Sequence, residues 1–334
     1  IPEVTPVPDS FDYKKAEPSV FRPFLQKNKD YRLSMGIRNL PSNDLFIIDK
    51  NYLKMTNIRA KIAEKCPEFA IFYHESSSES IREFYHYVLV YLQKRYPKYF
   101  YQIKGKEEYI YNSIRKEFLP ISDLKLSVYE LLKLLNCTIT EDFVFLIKNN
   151  NDSSVYPNEY VHRGGAICAP GGLDSTDIFN KPISTIHEPV PGYFARLQIS
   201  MNKFFDRLKP SSYIVRNNWF IQIAKIPRFF YFISYTDPEH EMSSKTIQPR
   251  QKILNPATVD FNKVFFRTEK QMFIRLPKTR TNMLLVKTYV TPLTTIRNQE
   301  NLGQDLCDAI DGIKGEIRDY KGVDRWGECV KSYL

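Results

Sequence analysis

Val264-Phe-Phe-Arg-Thr-Glu-Lys-Gln-Met-Phe-Ile-Arg-Leu-Pro277 and Asn282-Met-Leu-Leu-Val-Lys-Thr-Tyr-Val290 read as a strand pair. A half-buried strand turns every second side chain to the same side. Arg267, Glu269, Gln271 and Arg275 therefore line one surface of a strand that also carries apolar residues. If that surface is a pocket, it is built to read anions; if it is the outer face, it is merely solvated. Alternation leaves both open. Upstream, Tyr213-Ile-Val-Arg-Asn-Asn-Trp-Phe-Ile-Gln-Ile223 alternates in the same way and groups Arg216, Asn218 and Trp219.

Helical spacing dominates the earlier half of the chain. Tyr52, Met55, Ile58 and Ile62 recur along a helix between Asp49 and Cys66. Ser76-Ser-Ser-Glu-Ser80 supplies capping residues for a second helix with an Ile81, Phe84, Tyr85, Val88, Leu92 stripe, ended by Pro97. His86 lies on that helix as a structural histidine, with no partner ligand at metal spacing. Glu141-Asp142 offers a carboxylate pair that could act as a general acid, or simply mark an element edge facing water. Asn149–Ser154 is a loop, and residues 226–236 and 237–256 read as an aromatic run and a polar loop. Asn136 and Asn151 open glycosylation sequons at a frequency that chance explains.

Four of the twelve glycines, Gly164, Gly165, Gly171 and Gly172, fall within residues 155–180, a segment that looks moulded around something. It runs into Pro182-Ile-Ser-Thr-Ile-His-Glu-Pro-Val-Pro-Gly-Tyr193, where Pro182, Pro189 and Pro191 stiffen the backbone around His187. Residues preceding proline favour extended geometry, so His187 is expected on a rigid strand-like or loop support. It is either a ligand or acid–base group, or an incidental polar side chain of a turn. A helix carrying Leu197, Met201, Phe204 and Leu208 follows Gly192.

The composition is that of a globular chain of 334 residues, 43% hydrophobic and 26% charged, which excludes wholesale disorder. Few glycines argue against a Gly-rich nucleotide site. The net charge of +10 is scattered among acids rather than gathered in runs, so it describes a mixed solvated surface. Five widely spaced cysteines without a CxxC fit a reducing compartment, hence an intracellular, cytoplasmic or cytosol-facing protein. A lone cysteine can also serve as a thiolate ligand to haem iron, and Cys168 lies nearest His187. No apolar run is long enough to span a membrane. The chain opens at Ile1 without Met, which reads as a processed or truncated product and leaves room for an upstream targeting segment or membrane tether.

Four groups of residues then resemble the family of haem-dependent oxidative N-demethylases, its fungal members in particular. They are Met35-Gly-Ile-Arg38 with Asp49 and Tyr52, then Arg95-Tyr-Pro97 with Glu141-Asp142. Ile186-His-Glu-Pro-Val-Pro191 with Arg216, Asn218 and Trp219 follows, and last Arg267-Thr-Glu-Lys-Gln271, Arg275-Leu-Pro277 and Thr288-Tyr-Val-Thr-Pro-Leu293. The resemblance implies an α+β fold, a PAS-like twisted antiparallel sheet with flanking helices enclosing a b-type haem. It implies an oxygen-dependent monooxygenase acting on a small amine, whose C–H bond next to nitrogen is oxidised before formaldehyde leaves. A separate flavin or iron–sulfur reductase would supply electrons. His187 becomes the proximal iron ligand; Arg216 and Arg275 pair haem propionates, and Asn218 and Arg267 belong to the same cofactor set. Trp219 supplies apolar wall, while Glu269 and Gln271 orient substrate or oxygen. Lys270 and Met272 stand where the family motif usually carries arginine and threonine, which bears on the substrate if those side chains handle it.

The expected organisation is an extended arm over 1–30, one domain over 31–300 and a helical extension over 301–334. The domain is mainly helical at 45–148 and holds the sheet and haem pocket at 155–295. Two other functions fit the sequence: a non-catalytic haem sensor or carrier, and a cofactor-free module for an anionic partner. Most Tyr and Phe lie at core periodicities, so a nucleic-acid partner is not expected.

Overall fold

The strands expected at both ends of the second half form, and they pair within one antiparallel sheet. The computed structural model describes residues 3–25, 30–150, 158–171, 174–223 and 253–334. Gly172, the runs at 226–236 and 237–252 and most of the loop at 149–154 lie outside those residues. The strands are β1 (Arg38–Asn39), β2 (Ile71–Tyr73), β3 (Phe100–Tyr101), β4 (Tyr109–Asn112), β5 (Glu117–Pro120), β6 (Asp142–Lys148), β7 (Tyr160–Ala166), β8 (Ile214–Ile223), β9 (Val264–Arg275) and β10 (Asn282–Pro292). Seven of them form a sheet in the order β1-β8-β9-β10-β6-β7-β2; β3, β4 and β5 form a small second sheet.

The helices are α1 (Tyr52–Lys65), α2 (Pro67–Ala70), α3 (Ser78–Arg95), α4 (Val128–Thr138), α5 (Ser175–Ile178), α6 (Ile183–His187), α7 (Gln198–Arg207), α8 (Leu293–Asn298), α9 (Gly303–Asp311), α10 (Glu316–Tyr320) and α11 (Val323–Tyr333). Their ends are written in the sequence. Ser127 and Glu130 close a reciprocal capping box on α4, and Lys94 and Arg95 complement the C-terminal end of α3. The class is α+β. No helix of the described residues is long and apolar enough to cross a membrane.

Alternation divides the large sheet into two unlike faces. On the back face Phe143, Phe145, Val215, Met272, Ile274, Met283 and Leu285 pack under α1, α3 and α4. Further along the same face Trp219, Ile221, Val264 and Phe266 pack under α8, α9 and α11. Residues 303–333, expected as an extension, thus close a core of their own against the sheet. On the front face Val144, Leu146 and Phe273 meet Ile183, Tyr193, Met201 and Phe205 from the segment of α6 and α7.

The N-terminal arm runs across both back-face cores. Val4, Val7, Phe11 and Tyr13 pack on the first core, and Phe24 is buried in the second. Arg22 then fixes the arm to Glu300 with a bidentate contact, Nε to Oε2 at 2.7 Å and Nη2 to Oε1 at 2.5 Å.

Glycine-rich β7 is shaped by its neighbours. A Cβ on Gly165 would come within 2.0 Å of the Phe143 carbonyl oxygen, so β6 can approach only a glycine there. The pairing shifts register between Phe145 and Leu146 at the same place. These glycines serve sheet packing rather than a ligand.

Glu141 and Asp142 are neither a solvent-facing edge nor an acid–base pair, because both are buried and already engaged. Asp142 sits 2.6 Å from the Arg59 guanidinium and accepts the backbone N–H groups of Cys168 and Ala169 at 2.8 and 2.9 Å. Arg59 also donates to the Asn136 carbonyl at 3.0 Å and to its side chain at 2.8 Å. This network ties α1 and α4 to the segment that leaves β7. Removing one member of a buried pair leaves the other charge uncompensated. Asp142→Asn is therefore expected to lower unfolding free energy by about 3–5 kcal/mol in urea titrations; a loss below about 1 kcal/mol would contradict this role.

Candidate functional site

Register alone assembles a polar patch on the front face. Arg216 lies opposite Gln271, Asn218 opposite Glu269 and Phe220 opposite Arg267. β10 continues these rows with Val286, Thr288 and Val290. Five polar side chains drawn from two strands thus share one surface.

Glu269 is the centre of that surface. Its Oε1 accepts from Arg267 Nε at 3.2 Å and Nη2 at 3.0 Å, and its Oε2 accepts from Gln271 Nε2 at 3.0 Å. Arg267 in turn donates to the Ala169 carbonyl and to Thr288 Oγ1, and lies against the Phe220 ring. A guanidinium so engaged orients the carboxylate and has little capacity left for a ligand anion. Gly171 closes over the pair in the left-handed region, at φ +63°, and an added Cβ would meet Glu269 Oε1 at 3.0 Å.

His187 approaches from α6. Extended geometry was expected around it, and the backbone is helical instead. Pro182 sits at the N-cap, where a missing N–H costs nothing, and Glu188 is helical despite the proline that follows it. The helix turn lets His187 Nδ1 reach the Ile183 carbonyl at 2.9 Å. A carbonyl only accepts, so Nδ1 carries the proton and Nε2 is left with its lone pair. Among the described residues Nε2 has no hydrogen-bond partner, and Tyr193 stacks on the ring at 5.1 Å between centroids. Burial lowers the imidazole's pKa; the Ile183 carbonyl opposes this and the nearby Arg216 charge adds to it.

Arg216 is a half-buried cation that makes no ion pair among the described residues. Its Nε is enclosed without a hydrogen-bond partner among the described residues. Burial lowers its pKa, and Tyr31 and Glu269 only partly offset that. Lys321, which the motifs did not point to, joins it from the turn after α10. Its Nζ donates to the Trp219 carbonyl at 3.0 Å and lies over the Tyr31 ring at 5.3 Å. Burial pushes Lys321 down to about 8, with Glu269 opposing and Arg216 adding. Only proximity in the fold reveals it, since nothing in the local sequence marks this lysine.

The remaining candidates lie elsewhere. Trp219 shares β8 with Arg216 but points to the back face, where it packs on Phe266 at 5.5 Å. Arg275 is drawn to the far end of β9 and donates to the carbonyls of Arg280, Asp206 and Leu208. Cys168 is fully buried, donates to Asn136 Oδ1 at 3.3 Å, and is pushed up to about 12 by burial, so it is no thiolate. His162 is sealed between Phe72 and Phe179; His86 faces Asp123 at 3.1 Å as a satisfied structural histidine. Lys270 and Met272 both point to the back face, away from Glu269 and Gln271. Their departure from the family motif leaves the front surface unaltered.

Among the described residues no three His, Cys, Asp or Glu converge as a bare metal ion would require. A haem needs something different: one axial imidazole held by a second hydrogen bond, and cations for its carboxylates. His187 and Arg216 meet that description. The model of the family described as haem-dependent oxidative N-demethylase, alpha subunit-like, matches residues 36–331.

The chain belongs to that family. No curated protein matches it. The match runs through α9, α10 and most of α11, beyond the last motif read from sequence, and so includes Lys321. Members of the demethylase family are described as haem-dependent, which agrees with the donor set on the front face.

Two outcomes follow. Gly171→Ala is expected to cost about 1–2 kcal/mol of stability, because alanine is strained at that φ, and urea denaturation measures it. Lys321 has a folded pKa below its ordinary 10.5, so charging it opposes folding below about pH 8 and that penalty fades as pH rises toward 10.5. Lys321→Met should exceed wild type in stability below pH 8, the gap closing by at most about 1.4 kcal/mol per pH unit.

Proposed function

We propose that this protein binds one haem b on the front face beneath α6 and uses it to oxidise a small amine. Membership of a haem-dependent family supports the cofactor. The observation that carries the placement is His187, whose Nδ1 is held by the Ile183 carbonyl while Nε2 is free. That carbonyl fixes both tautomer and ring orientation, as second contacts to metal-bound histidines do. Arg216, with its enclosed unpartnered Nε, would pair one propionate, and Lys321 would add a second cation beside it.

When bound, haem would supply the oxygen chemistry: one atom of dioxygen would enter the C–H bond next to nitrogen and the other would leave as water, with two electrons from a partner and two protons from solvent. A flavin or iron–sulfur reductase fits that need, and the family description as an alpha subunit supports a partner chain. The chain's own residues do the rest. Glu269 is clamped by Arg267 and Gln271 and offers its carboxylate in one orientation to the cationic or N–H side of an amine. Asn218, opposite Glu269, adds a neutral donor and acceptor to the same row. Phe220 and the Tyr193 ring exclude water from the flanks.

Purified with haem supply, wild type is expected to show a Soret band at one haem per chain. His187→Ala should lose or shift it, and Arg216→Leu should retain haem about tenfold more weakly, as loss of a charge-assisted pair implies. Glu269→Gln should keep the band while amine-dependent oxygen uptake falls on the order of 100-fold. A His187→Ala spectrum identical to wild type would remove the ligand assignment.

A further inference from the structure

The back face carries a cavity that plays no part in the haem reading. Between its two apolar cores a cavity of about 260 Å³ opens, lined among others by Ser19, Phe21, Arg38, Asp44, Val215 and Lys270. Strand pairing builds it. Arg38 on β1 lies beside Val215, Asn217 lies opposite Lys270, and Lys270 lies opposite Lys287.

Two lysines directly across a strand pair repel each other. Lys287 is compensated, by Asp49 at 3.5 Å, Glu141 at 3.8 Å and the Ile47 carbonyl at 2.5 Å. Lys270 is not. It is 3% exposed and donates to the Asp44 main-chain carbonyl at 2.6 Å, but no carboxylate of the described residues lies within ion-pair range of it. Arg38 likewise makes no ion pair among the described residues. Asn217, with its amide turned to donate to the Arg216 carbonyl, accepts from Arg38 Nη2 at 3.2 Å. Against these two cations the described lining holds one carboxylate, that of Asp44. A buried ammonium beside an open cavity and a second unpaired cation is an incomplete ion pair.

We propose that this cavity binds a small oxyanion, a carboxylate or a phosphate ester, between Lys270 and Arg38. Its volume lies below the range usual for drug-sized ligands, which favours a compact molecule. The arm forms one wall through Ser19 and Phe21, and Thr268 Oγ1 meets the Phe21 carbonyl at 3.4 Å. Lysine at position 270 contributes a compact point charge, suited to a small anion in a narrow space.

Calorimetric titration of the whole chain with inorganic phosphate, and separately with malonate, at ionic strength fixed with chloride, tests this. Saturable binding of at least one probe at one per chain is expected, weakened about tenfold or more by Arg38→Gln and by Lys270→Met. Lys270→Arg keeps the charge and should keep binding. Phosphate alone would assign a phosphate ester, and malonate alone a carboxylate. Arg38 is exposed, so its variant tests the site even if Lys270→Met fails to fold. No saturable binding of either probe, or binding that Arg38→Gln leaves unchanged, would overturn the proposal.

Discussion

A strand must give its side chains alternately to two faces, and β9 is polar on both. That constraint organises the molecule. Arg267, Glu269 and Gln271 point forward, Thr268 and Lys270 point back, and all but Gln271 are buried. A central strand cannot carry so many polar groups without partners, since each unpaired buried group is costly. The surroundings supply most of them. Arg267 and Gln271 satisfy Glu269 on one side, and the Asp44 carbonyl meets Lys270 on the other. Lys270, unlike Glu269, makes no ion pair among the described residues, and Glu141 and Asp44 only partly offset the cost of its burial.

The groups proposed to hold the cofactor differ from the structural ones in their partners. The Arg59–Asp142 pair is deeply buried, yet every group in it has a partner, and it holds α1, α4 and the β7 exit together. Arg216 and His187 differ. The first keeps an enclosed Nε with no acceptor, and the second has Nδ1 fixed and Nε2 free. An open partner is not sufficient by itself, since His162 Nε2 is also buried without one; Arg216 and His187 stand out because they lie near each other. Partners also separate Arg267, fully engaged, from Arg216, and Lys287 from Lys270.

Much of the architecture was legible because it rests on local periodicity. The β8, β9 and β10 strands, α1 and α3, and the front-facing set of Arg216, Asn218, Glu269 and Gln271 all follow from alternation and helical spacing. The gaps have physical causes. Trp219 is adjacent in sequence to Asn218, and adjacency in a strand means opposite faces. Arg275 has the correct parity, but four residues of extended chain carry it to another neighbourhood. Proline near His187 pointed to extended backbone, yet a proline at the N-cap starts a helix as readily as it ends one. The glycines of β7 answered the close approach of β6, which only tertiary structure reveals. Lys321 comes near Arg216 only through the fold, its contact to the Trp219 carbonyl joining residues more than a hundred apart in sequence.

Two cation-bearing surfaces thus stand back to back across β8 and β9, one with a histidine and one without. The front is where the His187 Nε2 and the Arg216 Nε, both without a hydrogen-bond partner among the described residues, lie near each other. A crystal structure of the haem-loaded protein tests that claim most directly. It should show the porphyrin on the front face, iron on His187 Nε2 and a propionate at Arg216. A porphyrin ligated elsewhere, with Arg216 still unpartnered, would contradict it.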